Sequence, residues 1–316
     1  MTAKGSLYLL PEPNLDEMPS SWLIRVAQLH GVSVKELLAG IGVTRSRDLD
    51  IAFASRAIGR LTRGVDLNVG RLHLISRIFG PFRNERWMKV WLRKDTRQQL
   101  TTGFCPNCLS EDYEPYWRSV WRFRYWVACP THRRRLLDAC AGCSRLIQID
   151  RYINRPATPS AESFLTVCVH CGESLMFGGS QDEPLSPVLA TMAIDLQRVV
   201  TAALFHNGFQ VVGIPEKVPV SFLPSVLIAG ALPGESMECD PDPRLIDEIR
   251  SAISYASRSG ARGIRRKSEI YVAQSSSYRV WKGDVAKLAE KVIELRFLKL
   301  LDSSVDLREA VFDNSK

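Results

Sequence analysis

The chain has no run of about 18 apolar residues, so no membrane-spanning helix is expected. Its most apolar stretch, FLPSVLIAGAL at 222–232, is short and carries a proline. The opening residues, MTAKGSLYLLPEPN, lack the apolar core and cleavage site of a signal peptide, and a cytoplasmic location is expected. No internal repeat or low-complexity tract is found, which argues against a solenoid. No His-x-Glu accompanies the cysteines, as a zinc deaminase would require. No carboxylate stands beside an open three-ligand set, as a metal-dependent hydrolase would need. An enzyme is therefore not expected. Outside residues 105–171 the only cysteine is Cys239, which has no neighbouring partner and is read as a free thiol.

What is present is an ordinary globular composition, with 45% hydrophobic and 24% charged residues. A length of 316 residues suggests two or three compact units. The net charge of +8 is concentrated at one end: residues 1–104 carry 16 Lys and Arg against 9 Asp and Glu, whereas residues 181–316 carry 17 against 18. Twelve of those 16 cations are arginines, whose planar fork donates paired hydrogen bonds to phosphate. A nucleic-acid partner for this third and a merely solvated helical surface are both open readings.

In PEPNLDEMPSSWLIRVAQLHG the prolines keep the lead-in extended, and Ser20 or Ser21 is expected to cap a helix. Trp22, Val26 and Leu29 would share its apolar face, and Gly31 would follow its C-terminus. Ser33 and Glu36 form a capping box for a second short helix closed by Gly40. Two helices joined by a glycine turn, with the small Ala27 at the crossing, suit a helix-turn-helix, although an ordinary helical hairpin reads the same way. Further helices are expected over 50–61, from Asp66 onward and over 84–94, where Trp87 and Trp91 are four residues apart. SQDEPLSP at 180–187 reads as a linker. Helices are expected beyond it at 187–204, 243–257 and 283–301.

Between 105 and 171 four pairs of metal-ligand type occur in order. They are Cys105 with Cys108, Cys129 with His132, Cys140 with Cys143, and Cys168 with Cys171. Two intervening residues make a tight knuckle that aims both ligands at one ion, and two knuckles complete a tetrahedron. In a cytoplasmic chain such clustering favours metal over disulfides. Sequential pairing gives one set of three cysteines and a histidine and one set of four cysteines. It is preferred to cross-brace pairing because each loop then closes its own module. Two structural Zn2+ ions per chain are expected, with His170 a bystander inside the last knuckle. Between the first two pairs Trp117, Trp121, Phe123 and Tyr125 alternate with polar residues in partial period two, as in a strand, or a short helix and strand, with one aromatic face. They suit a small core packed around the metal, or else a platform on which bases stack.

Two blocks together resemble the TniQ family, which includes TnsD-type proteins. One is PEPNLDEMPSSWLIRVAQLHG; the other is CPNCLSEDYEPYWRSVWRFRYWVACPTH followed by LLDACAGC. They span roughly residues 8–175. One departure is that Arg133, Arg134 and Arg135 follow the second knuckle, where the family commonly has glycine. The turn must then be made without glycine, and a basic run stands beside the metal, as a nucleic-acid contact or a solvated edge.

The resemblance implies a mainly α protein with small zinc-finger modules (α+β): an N-terminal helix-turn-helix region at 1–104, tandem zinc fingers at 105–180 and a C-terminal helical domain at 181–316. It also implies a non-catalytic adaptor for target-site selection in bacterial transposition. Such a protein connects a recognition event to an AAA+ regulator, either by docking on an RNA-guided CRISPR effector, sometimes as a homodimer, or by binding target DNA itself. The shortness of the chain and its neutral C-terminal region favour docking. An ordinary helix-turn-helix transcriptional regulator is the remaining alternative. Residues considered for nucleic-acid or partner contact are Arg25, Lys35, Arg45, Arg47, Arg71, Arg133, Arg134, Arg135, Arg262, Arg265, Arg266 and Lys267.

Overall fold

A computed structural model of the chain describes residues 10–43, 48–53, 69–83, 87–156, 163–178, 184–206, 208–211, 214–220, 223, 227, 270–274 and 277–281. Two compact units result. The first comprises residues 1–86 and 92–185, and the second 87–91 and 186–316. Within the first unit the N-terminal helices and the cysteine region share one core.

The central element of the first unit is α1 (Pro19–Leu29). Met18 occupies the N-cap with extended backbone and Pro19 opens the helix, so the serines lie inside it rather than capping it. Every residue from Pro19 to Ala27 is buried. Trp22 and Val26 point inward as expected, but Leu29 is 50% exposed. One apolar face does not describe this helix: α1 is enclosed by α2 (Val34–Gly40), α3 (Leu49–Ala52), α4 (Val69–Arg77) and the cysteine region. Gly31, at φ 65°, ends α1 in a Schellman turn, its N–H bonded to Gln28 and that of Val32 to Ala27. Ser33 and Glu36 make the expected capping box on α2.

Of the helix expected over 50–61, α3 covers the start; residues 54–68, with Asp66, lie outside the described residues. Trp87–Trp91 is a single 3-10 turn. The region 105–178 has little regular structure. It contains the short helices α5 (Pro106–Glu111) and α6 (Ile149–Asn154), two 3-10 turns and isolated antiparallel bridges such as Phe104 to Leu137 and Ala139 to Leu146.

The extended lead-in is bonded to the finger like an added strand. Met18 N–H donates to Trp117 O at 2.8 Å and Ser119 N–H to Asp16 O at 2.7 Å. Ser119 Oγ donates to Glu17 O, Tyr116 hydroxyl to Asp16 Oδ1, and Trp117 N–H to Ser21 Oγ. Two aromatic clusters complete the seam. Phe79 and Phe82, after α4, pack on Phe123 with centroids 5.8 and 5.5 Å away, and Tyr125 stacks on Phe123 at 5.2 Å. Trp117 meets Tyr152 of α6 edge-on at 4.7 Å.

A fully buried guanidinium crosses the same core. Arg122 reaches Asp48 at 3.1 Å and Asp50 at 3.3 Å, and donates to the carbonyls of Arg93 and Thr101. Asp50 in turn accepts Ser20 N–H in the first turn of α1. Burial, together with the Asp48 charge, raises the Asp50 carboxyl to about 6.

In the second unit α7 (Pro187–His206) appears where a helix is expected. It is long and apolar enough to cross a membrane by length and composition, with a mean hydropathy of 1.5. Yet Ala190, Ala193, Ile194, Gln197, Val200 and Leu204 are buried at helical spacing, as in a core helix. The C-terminal region is not purely helical as expected. β1 (Gly208–Val211) pairs antiparallel with β2 (Ile214–Pro219), Phe209 opposite Val218, and β3 (Ile270–Gln274) pairs with β4 (Ser277–Trp281). The helices expected at 243–257 and 283–301 lie outside the described residues.

Arg122→Ala should lower stability by about 3–5 kcal/mol, because it strands Asp50 as an uncompensated buried charge. Urea unfolding of the two proteins measures this directly; a difference below about 1 kcal/mol would contradict the structural role given to Arg122.

Candidate metal centres and the surrounding basic residues

The four knuckles converge as two separate sets. Cys105, Cys108, Cys129 and His132 form one, and Cys140, Cys143, Cys168 and Cys171 the other, the ligand atoms of each lying within 4.8 Å of one another. Sequential pairing is therefore what the fold produces. The reason is local. Cys105 precedes α5, which carries Cys108 in its first turn, and the chain returns through the aromatic segment to the Cys129 knuckle. The second set is closed by α6 and the turn Phe164–Thr166 in the same way.

The last three knuckles share one backbone design. The residue after the second ligand is left-handed and donates its N–H to the carbonyl of the first ligand. The first ligand's own N–H goes to the residue beyond. In order, these bonds are Arg133 N–H to Cys129 O and Cys129 N–H to Arg134 O, then Ser144 to Cys140 and Cys140 to Arg145, then Gly172 to Cys168 and Cys168 to Glu173. The left-handed residues have φ of 52°, 56° and 81°. Only Gly172 avoids the penalty of about 1–2 kcal/mol that a side chain brings there. Arg133 thus makes, without glycine, the turn expected after the second knuckle.

The spacing fits a tetrahedral zinc site. Ligand sulfurs at about 2.3 Å from a central ion stand about 3.8 Å apart. Cys140 and Cys171 sulfurs are 3.7 Å apart, and Cys143 and Cys168 sulfurs 3.8 Å. In the first set Cys108 and Cys129 sulfurs are 3.5 Å apart, and His132 Nδ1 is 3.3–3.4 Å from all three sulfurs. A disulfide needs about 2.05 Å, so these contacts are not disulfides. The donor types and distances suit zinc, with Nδ1 as the histidine ligand atom. His132 Nε2 lies 2.9 Å from Glu111 Oε2, so Glu111 orients the ring from the far side. Sequence reasoning missed this residue, although its place three residues after Cys108 on α5 puts it on the ligand face of that helix.

The sets differ in exposure. Three of the four ligands of the first are buried, whereas Cys171 of the second is exposed and Cys143 half-buried. The four alternating aromatics between the first two knuckles are core: Trp117 and Tyr125 are 0% exposed, Trp121 and Phe123 1%, whereas Tyr113 is fully exposed. Those four leave no exposed face on which bases could stack.

The basic residues singled out earlier separate clearly. Arg25 is turned inward, paired with the buried Glu17 at 2.7 Å and with Glu114, and this commits its guanidinium to the lead-in and finger rather than to phosphate. Burial raises the Glu17 carboxyl to about 7 against the pull of Arg25. Lys35 is exposed on α2, and Arg71 is partly exposed, 3.7 Å from Glu12. Arg133 and Arg135 are exposed and Arg134 is half-buried. Arg45, Arg47, Arg262, Arg265, Arg266, Lys267 and Cys239 lie outside the described residues.

Compared with known proteins, the chain matches the family model described as TniQ over residues 8–136. No curated protein matches it significantly. The family match implies a role in target selection during transposition, in a family of non-catalytic accessory proteins. It begins in the lead-in and ends just past His132, so it covers both sides of the seam described above.

Metal analysis should return about two zinc ions per chain; one or none would refute the two-site assignment. Glu111→Gln should weaken zinc retention at the first set about 10- to 100-fold in chelator competition, leaving the second unchanged.

Proposed function

We propose, from the membership of residues 8–136 in the TniQ family, that this protein is a non-catalytic adaptor in bacterial transposition. It would link a target-recognition complex to an AAA+ transposition regulator. The observation that carries this reading is that the family's two signature blocks are the two faces of one interlocked unit. Lead-in, α1 and finger share buried ion pairs and a single core, which suits a rigid platform on which partners assemble. Each ligand set is complete with four protein ligands, which suits structural zinc. Bound there, zinc supplies cross-linking of the chain. The residues around it orient ligands, as Glu111 does, and bury the thiolates.

The recognition partner favoured here is an RNA-guided CRISPR effector. Arg25, one of the arginines considered for DNA contact, is committed internally, which supports docking over direct readout by α1. The two-helix arrangement of α1 and α2, closed by its Schellman turn and capping box, is compatible with a helix-turn-helix used as a protein-docking element. Direct binding of an attachment site remains the reading to be tested against it.

Affinity capture with an AAA+ transposition regulator should retain the zinc-loaded protein without any specific DNA. Adding the RNA-guided effector should bring all three into one complex. Failure to capture the regulator would overturn the adaptor role. Capture only in the presence of one attachment sequence would favour direct DNA readout instead.

A further inference from the structure

The two ligand sets differ in the atom each offers to solvent. In the first, Cys105, Cys108 and Cys129 are all buried. Its most open ligand is His132, an imidazole, which does not undergo the stepwise oxidation of a thiolate. In the second, Cys140 and Cys168 are buried, Cys143 is half-buried and Cys171 is exposed. The lip around the last two is open as well, since Ala141, Gly142, Ser144, Gly172 and Glu173 are exposed.

Zinc would hold these cysteines as thiolates and brings no redox chemistry of its own. The thiolate is the form that peroxides attack, and access decides which thiolate reacts. Cys171 is therefore the reactive position among the seven cysteine ligands. A redox-sensing cysteine also needs a second thiolate within reach to resolve it. Cys140 supplies one, its sulfur 3.7 Å from that of Cys171. The two belong to different knuckles, so a bond between them takes one donor from each. Cys143 and Cys168, whose sulfurs are 3.8 Å apart, are then the remaining pair. Two donors fall short of the four that close a structural zinc site.

We propose that Cys171 is a site of oxidation by hydroperoxides, resolved by Cys140, through which the second set gives up its metal while the first set keeps its own. The Cys171 thiolate attacks one peroxide oxygen. The O–O bond breaks, leaving a sulfenic acid on Cys171 and releasing hydroxide. The Cys140 thiolate then attacks the Cys171 sulfur, an S–S bond forms, the S–O bond breaks and a second hydroxide leaves. Two protons from solvent convert both hydroxides to water. The cysteine pair loses two electrons and the peroxide gains them.

The consequence extends beyond the knuckles. The second set closes α6 and the turn Phe164–Thr166, and both pack on α1. Trp117 Nε1–H donates to Leu165 O in that turn, and the Tyr152 hydroxyl of α6 donates to Val167 O. Oxidation at an exposed edge of the unit would thus loosen the support of its central helix. The proposal rests on metal loading of the second set and not on the adaptor role.

The test uses the full chain carrying Cys239→Ser, which removes the one cysteine outside both sets. Metal analysis first establishes two zinc ions per chain, so that a failure of the site assignment is seen separately. Hydrogen peroxide is then added stepwise. A chromogenic chelator reads the zinc released, and alkylation followed by peptide mass spectrometry locates the disulfide. One ion should leave as a Cys140–Cys171 disulfide forms, and the other should require at least about 10-fold more peroxide. A thiol reductant with added zinc should restore the second ion. Cys171→His keeps four donors and gives the second set the donor types of the first; release from it should slow at least about 10-fold. Should that variant fail to load zinc, the disulfide mapping on the chain with Cys171 intact decides alone. Release of both ions together, loss from the first set before the second, or a first disulfide that does not join Cys140 to Cys171 would each overturn the proposal.

Discussion

Glu17 is wholly buried, and much of the first unit is arranged to make that tolerable. Its carboxylate accepts from Asn14 N–H at 3.1 Å, from Ser21 Oγ at 3.0 Å and from Arg25 at 2.7 Å. A buried carboxylate without such partners would be strongly destabilising. Satisfying this one therefore brings the lead-in turn and the first turns of α1 to a single place. The backbone of the same residue serves the finger, since Glu17 O accepts Ser119 Oγ and Glu17 bridges to Arg118. Arg118 lies over Tyr116 and Trp121 and makes a two-bond pair with Asp112, so it is itself held in place. Helices and finger are consequently not two domains in contact but one core approached from two parts of the chain.

Metal ligands and aromatic side chains divide the work in that core. A segment with so little regular secondary structure cannot satisfy its backbone through ladders, and the knuckles supply local closure instead. Each of the last three knuckles bonds its own backbone twice. Between the first two, Trp117, Trp121, Phe123 and Tyr125 carry the burial, and they do so against Phe79, Phe82 and Tyr152 outside the knuckles. The finger's core is thus completed by α4, α6 and α1.

Much of this is legible in the residues. Ligand spacing predicts both sets and their pairing, because a two-residue knuckle is a local geometry that survives any fold. The capping box at Ser33 and the turn at Gly31 are local for the same reason. Leu29 departs from its expected burial because a helix enclosed on several sides does not show one apolar face. Arg122 and Arg25 are illegible as structural residues because the carboxylates that justify their burial cannot be assigned to them from sequence. A surface arginine and a buried one look alike until Asp50 or Glu17 is placed beside it. Beyond Pro187 the strands follow a helix whose pattern is clear, while their own short runs carry little signal.

The seam between lead-in and finger also sets an order of events on the ribosome. Chains emerge N-terminus first, yet Met18, Asp16, Glu17 and Ser21 meet their finger partners only at residues 116–119, and Trp117 finds Leu165 O and Tyr152 later still. The helices α2, α3 and α4 can cover part of α1 early, but the turn Phe164–Thr166 and α6 that complete its surroundings come later. Closure waits for the second pair of knuckles, and a nascent chain stalled before them would leave that side of α1 open to the chaperones of the cell.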